Sequence, residues 1–93
     1  MIQHTVALRL SPDADASAFW NGVATLEQIE GVVDFKVLEQ VGSKNDFTHA
    51  LSMFFETRAN YDTYNDHPTH VAFVQELWLP NVAEFIELDY VEA

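Results

Sequence analysis

The histidines of this chain carry its most evident chemistry, because an imidazole gains and loses a proton near neutral pH and can act as a general base. His67 and His70 flank a proline in the stretch YNDHPTHVAF, and His4 and His49 lie well before it. Except for His67, each falls where the surrounding pattern is apolar. His4 and His70 could therefore meet at an apolar cavity, where a histidine could act as a general base. The alternative is a set of buried histidines satisfied by hydrogen bonds.

Two further side chains are candidates for the same chemistry. Tyr64 lies just before the histidine pair, where its phenol could donate a hydrogen bond to a developing oxyanion. Asp89 could orient a histidine by accepting its second ring proton. The alternatives are a Tyr64 ring that only anchors a helix by packing and an Asp89 that is an ordinary acidic residue.

A second group of side chains is expected to contact a bound molecule. It consists of Trp20, Val23, His49, His67 and Phe73. For Trp20, which falls on a helix face, packing in the core is the alternative.

No metal site and no cofactor are expected from the motifs. His67 and His70 straddle a predicted helix start instead of lying four residues apart on one helix, and no carboxylate is spaced to complete a metal site. The three glycines form no phosphate-binding loop, and no serine lies in a nucleophile elbow. The chain has no cysteine, which excludes disulfides and a thiolate nucleophile.

The charge balance narrows the range of partners. Fifteen acidic residues against four basic ones give a formal net charge of −11. Nucleic acid, anionic membranes and phosphate-rich cofactors are therefore unfavourable partners, since each requires clustered Lys and Arg. No stretch approaches the roughly 20 apolar residues of a membrane span and no export signal is evident, so the expected location is the cytoplasm.

The elements that must position these residues follow from periodicity and from capping signals. Alternating apolar residues predict a first strand over 2–10, and Ser11 with Pro12 predicts a helix from about 12 to 30 that ends at Gly31. The predicted elements that follow are a strand over 32–41, a turn over 42–46, a strand over 47–56, helices over 58–64 and 68–78, with the second closed by Pro80, and a strand over 82–91.

This order predicts one α+β domain spanning residues 1–93. The plan is ferredoxin-like, β-α-β-β-α-β, with a four-stranded antiparallel sheet and helices on one face. Neighbouring apolar residues within strands, such as Phe54 and Phe55, place apolar side chains on both faces of the sheet. We expect a second copy of the chain to cover the face without helices, which makes a homodimeric α/β barrel.

The sequence resembles a known family, the stress-responsive dimeric A/B barrel (Dabb) proteins, along nearly its whole length. The matching features are His4, the segment IEGV at 29–32, THAL at 48–51, Phe55, Tyr64 with the HPxH motif at 67–70, and the pair Asp89 and Tyr90. Most members of this family have no established activity and are described as stress-responsive or uncharacterised, so the resemblance implies a stress-linked role. Some members resemble polyketide cyclases of the olivetolic acid cyclase type, which catalyse an aldol closure without a cofactor.

In those cyclases the residues that match His70, His4, Tyr64 and Asp89 do the catalysis, whereas Val23 stands where they carry a pocket tyrosine. The leading expectation is a protein that binds a neutral, partly apolar or aromatic small molecule between sheet and helices. If it is an enzyme, we expect acid–base chemistry at a carbon next to a carbonyl. His70 would be the base, His4 and Tyr64 would polarise the oxygen, and we assign Asp89 to the orientation of His70. The alternatives are a non-enzymatic structural or interaction protein and a cofactor-free monooxygenase.

Overall fold

A computed structural model describes residues 1–93 as a four-stranded antiparallel sheet with helices between the strands. The order of the strands across the sheet is β2-β3-β1-β4. This arrangement confirms the predicted ferredoxin-like plan. The elements in chain order are β1 (Ile2–Leu10), α1 (Ala16–Leu26), β2 (Val33–Glu39), β3 (His49–Phe55), α2 (Arg58–Asp66), α3 (Pro68–Phe73), a π-helical segment (Val74–Trp78), α4 (Leu79–Asn81) and β4 (Val82–Tyr90).

The first helix is shorter than predicted at both ends. It begins at Ala16, because the side chain of Asp15 accepts a hydrogen bond from the backbone N–H of Ala18 at 3.1 Å and takes the capping role assigned to Ser11. The backbone N–H of Ser11 instead donates to the carbonyl of Asn81 at 2.8 Å. Helix α1 ends at Leu26, and turns occupy the remaining residues of the predicted helix.

The last helical stretch is longer than predicted. It passes through Pro80 and ends at Asn81, since Pro80 lies in the first turn of α4, where a backbone N–H is not needed. The predicted hairpin is present, but its second strand begins at His49 and not at residue 47. None of the helices is long and apolar enough to cross a membrane.

The sheet has one face packed against the helices. His4, Val6 and Leu8 of β1 are buried on that face, in the alternation that the sequence predicted. Above them, the rings of Phe19, Phe73 and Trp78 form an aromatic cluster with centroids about 6 Å apart. The core therefore lies between the sheet and the helices, and His4 enters it from the sheet side.

The other face of the sheet has no cover in a single chain. Directly paired strand residues share a face, so the pairs Gln3–Tyr90 and Ala7–Ile86 place Tyr90 and Ile86 on the side away from His4. Their side chains are 51% and 44% exposed, and Leu38 on the same face is 44% exposed. A substantial apolar surface is therefore left on this side, which we call the open sheet face.

Candidate active site

A cavity of about 290 Å³ lies between the sheet and the helices. Its lining is mainly apolar, with Val6 and Leu51 on the strand side and Phe73 on the helix side. It opens beside Leu79 and Phe85, which line it and are 64% and 49% exposed. A pocket of this size and character suits a small, partly apolar molecule. We refer to it as the central cavity.

Four polar side chains from four different elements reach the wall of the central cavity. They are His4 from β1, Tyr64 from α2, His70 from α3 and Glu87 from β4. Thus the structure brings three of the four predicted catalytic residues to one cavity. No lysine or arginine lines it, and Glu87 is its one carboxylate.

The local sequence explains why only one histidine of the HPxH motif faces the cavity. His67 ends α2 and begins α3, with an extended backbone (φ −64°, ψ 135°). Its Nδ1 accepts a hydrogen bond from the backbone N–H of Thr69 at 3.1 Å, and Pro68 occupies the first helical turn. His70 lies one turn further and points at the cavity. His67, which was predicted to contact a bound molecule, instead caps a helix with its ring and does not line the central cavity.

The ring of His70 is held in one orientation. Its Nδ1 lies 3.0 Å from the carbonyl oxygen of Asn65, to which it donates, and the ring lies 4.5 Å from that of Tyr64 between centroids. The other nitrogen, Nε2, therefore carries the lone pair. Burial lowers the pKa of His70, and this outweighs the opposite effect of the Asn65 carbonyl. A neutral imidazole with a free Nε2 is the form that a general base requires.

His4 belongs to a cluster of three side chains. Its Nδ1 lies 2.6 Å from Oδ1 of Asp89, and the hydroxyl of Tyr61 lies 2.7 Å from the same Nδ1. The hydroxyl also donates to Asp89, at 2.9 Å from Oδ1 and 3.0 Å from Oδ2. The assignment of Asp89 to His70 is therefore wrong: the carboxylate pairs with His4, which is its direct partner across β1 and β4.

Tyr64 is a hydrogen-bond donor without a partner of its own. Its side chain is 2% exposed and its ring packs against Phe55 at 5.1 Å between centroids. Burial, assisted by the charge of Glu87, raises the pKa of the phenol, so the hydroxyl keeps its proton across the physiological range. A neutral phenol at the cavity wall can donate to an oxygen of a bound molecule.

The predicted contact residues divide into one that lines the central cavity and four that do not. Phe73 lines it, but Val23 is 1% exposed within the core and does not reach it. Trp20 packs on His49, with ring centroids 4.7 Å apart, and His49 lines a separate small pocket near β2. The structure therefore does not bring Val23, Trp20 and His49 to the central cavity, because Val23 turns into the core and the other two lie toward the end of the sheet.

Sequence reasoning missed Tyr61 and Glu87, although the spacing of each from a predicted site residue indicated its position. Tyr61 precedes Tyr64 by three residues, a spacing that places both side chains on one face of a helix. Glu87 precedes Asp89 by two residues, which places both on one face of a strand. Across the whole structure, no group of three or more His, Cys, Asp or Glu side chains is arranged to hold a metal ion.

The fold and cavity define a ferredoxin-like α+β protein with a histidine-lined pocket. Residues 2–92 match the family model of the Stress responsive A/B Barrel Domain, and the chain belongs to that family. It is 28% identical over 97 residues to a longer stress-response A/B barrel domain-containing protein of Arabidopsis thaliana. The alignment covers 98% of this chain but 36% of the plant protein, so the chain spans about a third of that relative.

Solved structures share the same fold. A Dabb family protein with a ferredoxin-like fold from Mesorhizobium loti is 38% identical, with a TM-score of 0.85 over 99% of this chain and 96% of the other. The hydroxynitrile lyase of Passiflora edulis has a TM-score of 0.86 at 19% identity, covering 99% and 93% of the two chains. A dimeric ferredoxin-like protein from Thermobifida fusca has a TM-score of 0.81 at 16% identity, covering 98% and 90%.

Proposed function

We propose that this protein is a homodimeric, cofactor-independent acid–base catalyst that acts on a neutral, partly apolar carbonyl compound in the central cavity. One observation carries the proposal. His4 and His70 approach the same mainly apolar cavity from opposite layers of the fold, and each ring has its Nδ1 engaged by an oxygen acceptor. Each ring therefore has its Nε2 left for exchange of a proton with a bound molecule.

His70 is the base in this proposal. Its Nε2 removes a proton from the carbon next to the carbonyl, and the electrons of that C–H bond form the double bond of an enolate while the carbonyl electrons move to oxygen. The lowered pKa of His70 keeps the ring unprotonated at neutral pH, so the base is available without prior loss of a proton. The enolate carbon can then take a proton back or attack a second carbonyl, as in an aldol closure.

Tyr64 and His4 serve the oxygen. The Tyr64 hydroxyl remains protonated and donates to the developing oxyanion. Neutral His4 carries its proton on Nδ1, so it donates to the same oxygen from Nε2 only after that nitrogen has taken up a proton from solvent. The Asp89 carboxylate 2.6 Å from Nδ1 stabilises the imidazolium that results. Charge that develops on the substrate oxygen is therefore met by the Tyr64 hydroxyl, and by His4 in its imidazolium form, in a cavity that is mainly apolar.

The wall of the cavity supports a neutral substrate. It offers no Lys or Arg to a carboxylate or phosphate group, and Glu87 would repel such an anion at short range. The apolar lining favours a hydrocarbon or aromatic body beside the reacting carbonyl.

The open sheet face supports the homodimer. Ile86, Tyr90 and Leu38 are 44–51% exposed there, and an uncovered apolar surface of this kind is typical of an interaction site. A twofold partner that presents the same face would bury these side chains against their own copies. The dimeric protein of Thermobifida fusca shows that chains of this fold can assemble.

The smallest reaction that tests the proposed base is exchange of α-protons for deuterium, followed by NMR on a panel of neutral alkyl and aryl ketones and β-diketones in D₂O. We expect the wild-type protein to accelerate exchange for at least one compound. His70→Gln should remove about a hundredfold or more of that rate, the usual contribution of a general base.

His49→Gln is the matched control, because it removes an imidazole that lies outside the central cavity. It should exchange at the wild-type rate. Equal rates for the His70 and His49 variants would show that His70 is not the base. If no compound exchanges faster and none raises the melting temperature, the non-enzymatic alternative is supported instead.

A further inference from the structure

Tyr61 belongs to the His4 cluster but does not line the central cavity. Its hydroxyl lies 2.7 Å from Nδ1 of His4 and 2.9 and 3.0 Å from the two oxygens of Asp89. These three groups thus form a closed triangle of hydrogen-bonding partners around one nitrogen of the imidazole.

The positions of the protons in this triangle follow from the donor and acceptor capacity of each group. An ionised carboxylate only accepts hydrogen bonds. A lone pair on Nδ1 of His4 would face the Asp89 oxygen at 2.6 Å and be repelled by it, so Nδ1 carries the proton. Tyr61 then donates its own proton to Asp89, and its oxygen is a second acceptor close to the Nδ1–H group. Nε2 of His4 is left with a lone pair.

Tyr61 is more firmly held than the carboxylate to which it donates. Its side chain is 5% exposed, and its ring stacks on Phe55 at an interplanar angle of 5° and a centroid distance of 4.9 Å. The guanidinium of Arg58 lies 5.6 Å from the same ring centroid. In contrast, the Asp89 side chain is 41% exposed, so without a fixed donor its carboxylate is free to turn toward water.

We propose that Tyr61 is a positioning residue, whose hydroxyl fixes the Asp89 carboxylate against His4 and thereby selects the tautomer that presents an unprotonated Nε2 to the central cavity. The catalytic meaning of this role rests on the proposed function, in which Nε2 exchanges a proton with the substrate oxygen. The tautomer is a property of the protein without substrate, and it can be measured whether or not that function holds.

Tyr61→Phe is the direct test, because phenylalanine keeps the ring that stacks on Phe55 and removes only the hydroxyl. Long-range ¹H–¹⁵N spectra of ¹⁵N-histidine-labelled protein above pH 7 distinguish protonated from unprotonated ring nitrogens. In the wild type, His4 should show a protonated Nδ1 and an unprotonated Nε2. In the variant, the two nitrogen shifts should move toward each other as both tautomers become populated.

Tyr64→Phe is the matched control for the spectra, because the Tyr64 hydroxyl makes no hydrogen bond to His4. It should leave the His4 shifts unchanged. Where a turnover assay exists, Tyr61→Phe should lower kcat about tenfold with little change in KM, the factor expected for loss of one hydrogen bond to a charged group. Unchanged His4 nitrogen shifts in folded Tyr61→Phe would overturn the proposal.

A second measurement avoids the variant if it fails to fold. The wild-type Tyr61 hydroxyl proton, held by Asp89 in a buried site, should exchange slowly enough to give its own downfield resonance with a cross-peak to the Nδ1 proton of His4. A Nδ1 proton on His4 without such a phenolic partner would show that Asp89 alone holds the ring, and the role of Tyr61 would be refuted.

Discussion

Replacement of Asp89 by asparagine removes the negative charge beside His4 while nearly preserving the shape of the side chain. In the native protein this carboxylate accepts hydrogen bonds from His4 at 2.6 Å and from Tyr61 at 2.9 and 3.0 Å. Hydrogen bonds to a charged group contribute about 1.5–3 kcal/mol each. The Asp89 side chain is 41% exposed, so solvent screening reduces the net loss to about 1 kcal/mol. The asparagine oxygen still satisfies one of the two donors.

A loss of about 1 kcal/mol corresponds to a decrease in Tm of about 4–8 °C for a domain of this size. Differential scanning calorimetry would measure it. We expect the effect on catalysis to be larger, with a fall in α-proton exchange of about a hundredfold, because the imidazolium of His4 loses its partner and the ring loses its preferred tautomer. Asp89→Asn should therefore cause a small decrease in Tm and a large decrease in the exchange rate, which shows that the carboxylate contributes more to catalysis than to stability.

Asp34→Asn provides the comparison. Asp34 pairs with Lys36 at 3.5 Å, and the two side chains are 54% and 59% exposed. Asparagine tolerates its positive φ of 51°, so the change in stability should stay within about 0.5 kcal/mol. If Asp89→Asn and Asp34→Asn gave the same Tm and the same exchange rate as the wild type, the His4–Asp89 pair would have no role in solution and the assignment would be refuted. A loss above about 3 kcal/mol would mean a structural ion pair instead.

Three further predictions follow from the fold and the site. Because the folded-state pKa of His70 lies below its unfolded value of 6.5, the unfolded chain takes up the proton first. The free energy of unfolding should therefore fall as the pH decreases from 6.5 through the folded-state pKa, and urea titrations should show a shallower fall for His70→Gln; parallel curves would contradict the lowered pKa. Ile86→Asp on the open sheet face should shift the protein to a monomer in sedimentation velocity at micromolar concentration, whereas a wild-type monomer would argue against the dimer. Gly31→Ala should lower stability by about 1 kcal/mol, since its φ is 95°, and an unchanged Tm would show that the turn relaxes.

Much of the fold followed from local patterns. The alternation of β1 correctly placed His4 on the buried face, and the HPxH segment correctly predicted a helix restart, because strand alternation and proline geometry act over a few residues. The start of α1 was not predicted correctly. Ser11 and Pro12 resemble a capping signal for a helix from about residue 12, but the helix begins at Ala16. Asn81, which is distant in sequence, accepts two hydrogen bonds from this segment. Its carbonyl oxygen accepts from the backbone N–H of Ser11 at 2.8 Å, and its Oδ1 accepts from the backbone N–H of Asp15 at 3.0 Å. These bonds hold the intervening residues outside the helix.

The cavity was predictable only in part. Four histidines in a chain without cysteine indicated where proton transfer could occur, and His70 does reach the central cavity. The sequence could not exclude His49 and Trp20 from it. Both are suitable contact residues by type, but their position near the end of β3 and on α1 leads them to pack on each other at 4.7 Å between ring centroids.

The sequence by itself determined which side chains share a face of a strand or helix, because a periodicity of two or 3.6 residues depends on the local backbone alone. This local information was enough to select His4, Tyr64, His70 and Asp89 as candidates for one site. Only the tertiary structure decided that Asp89 pairs with His4 and not with His70. These partners are 85 residues apart, and they meet through the antiparallel register of β1 and β4, which depends on how the whole sheet assembles.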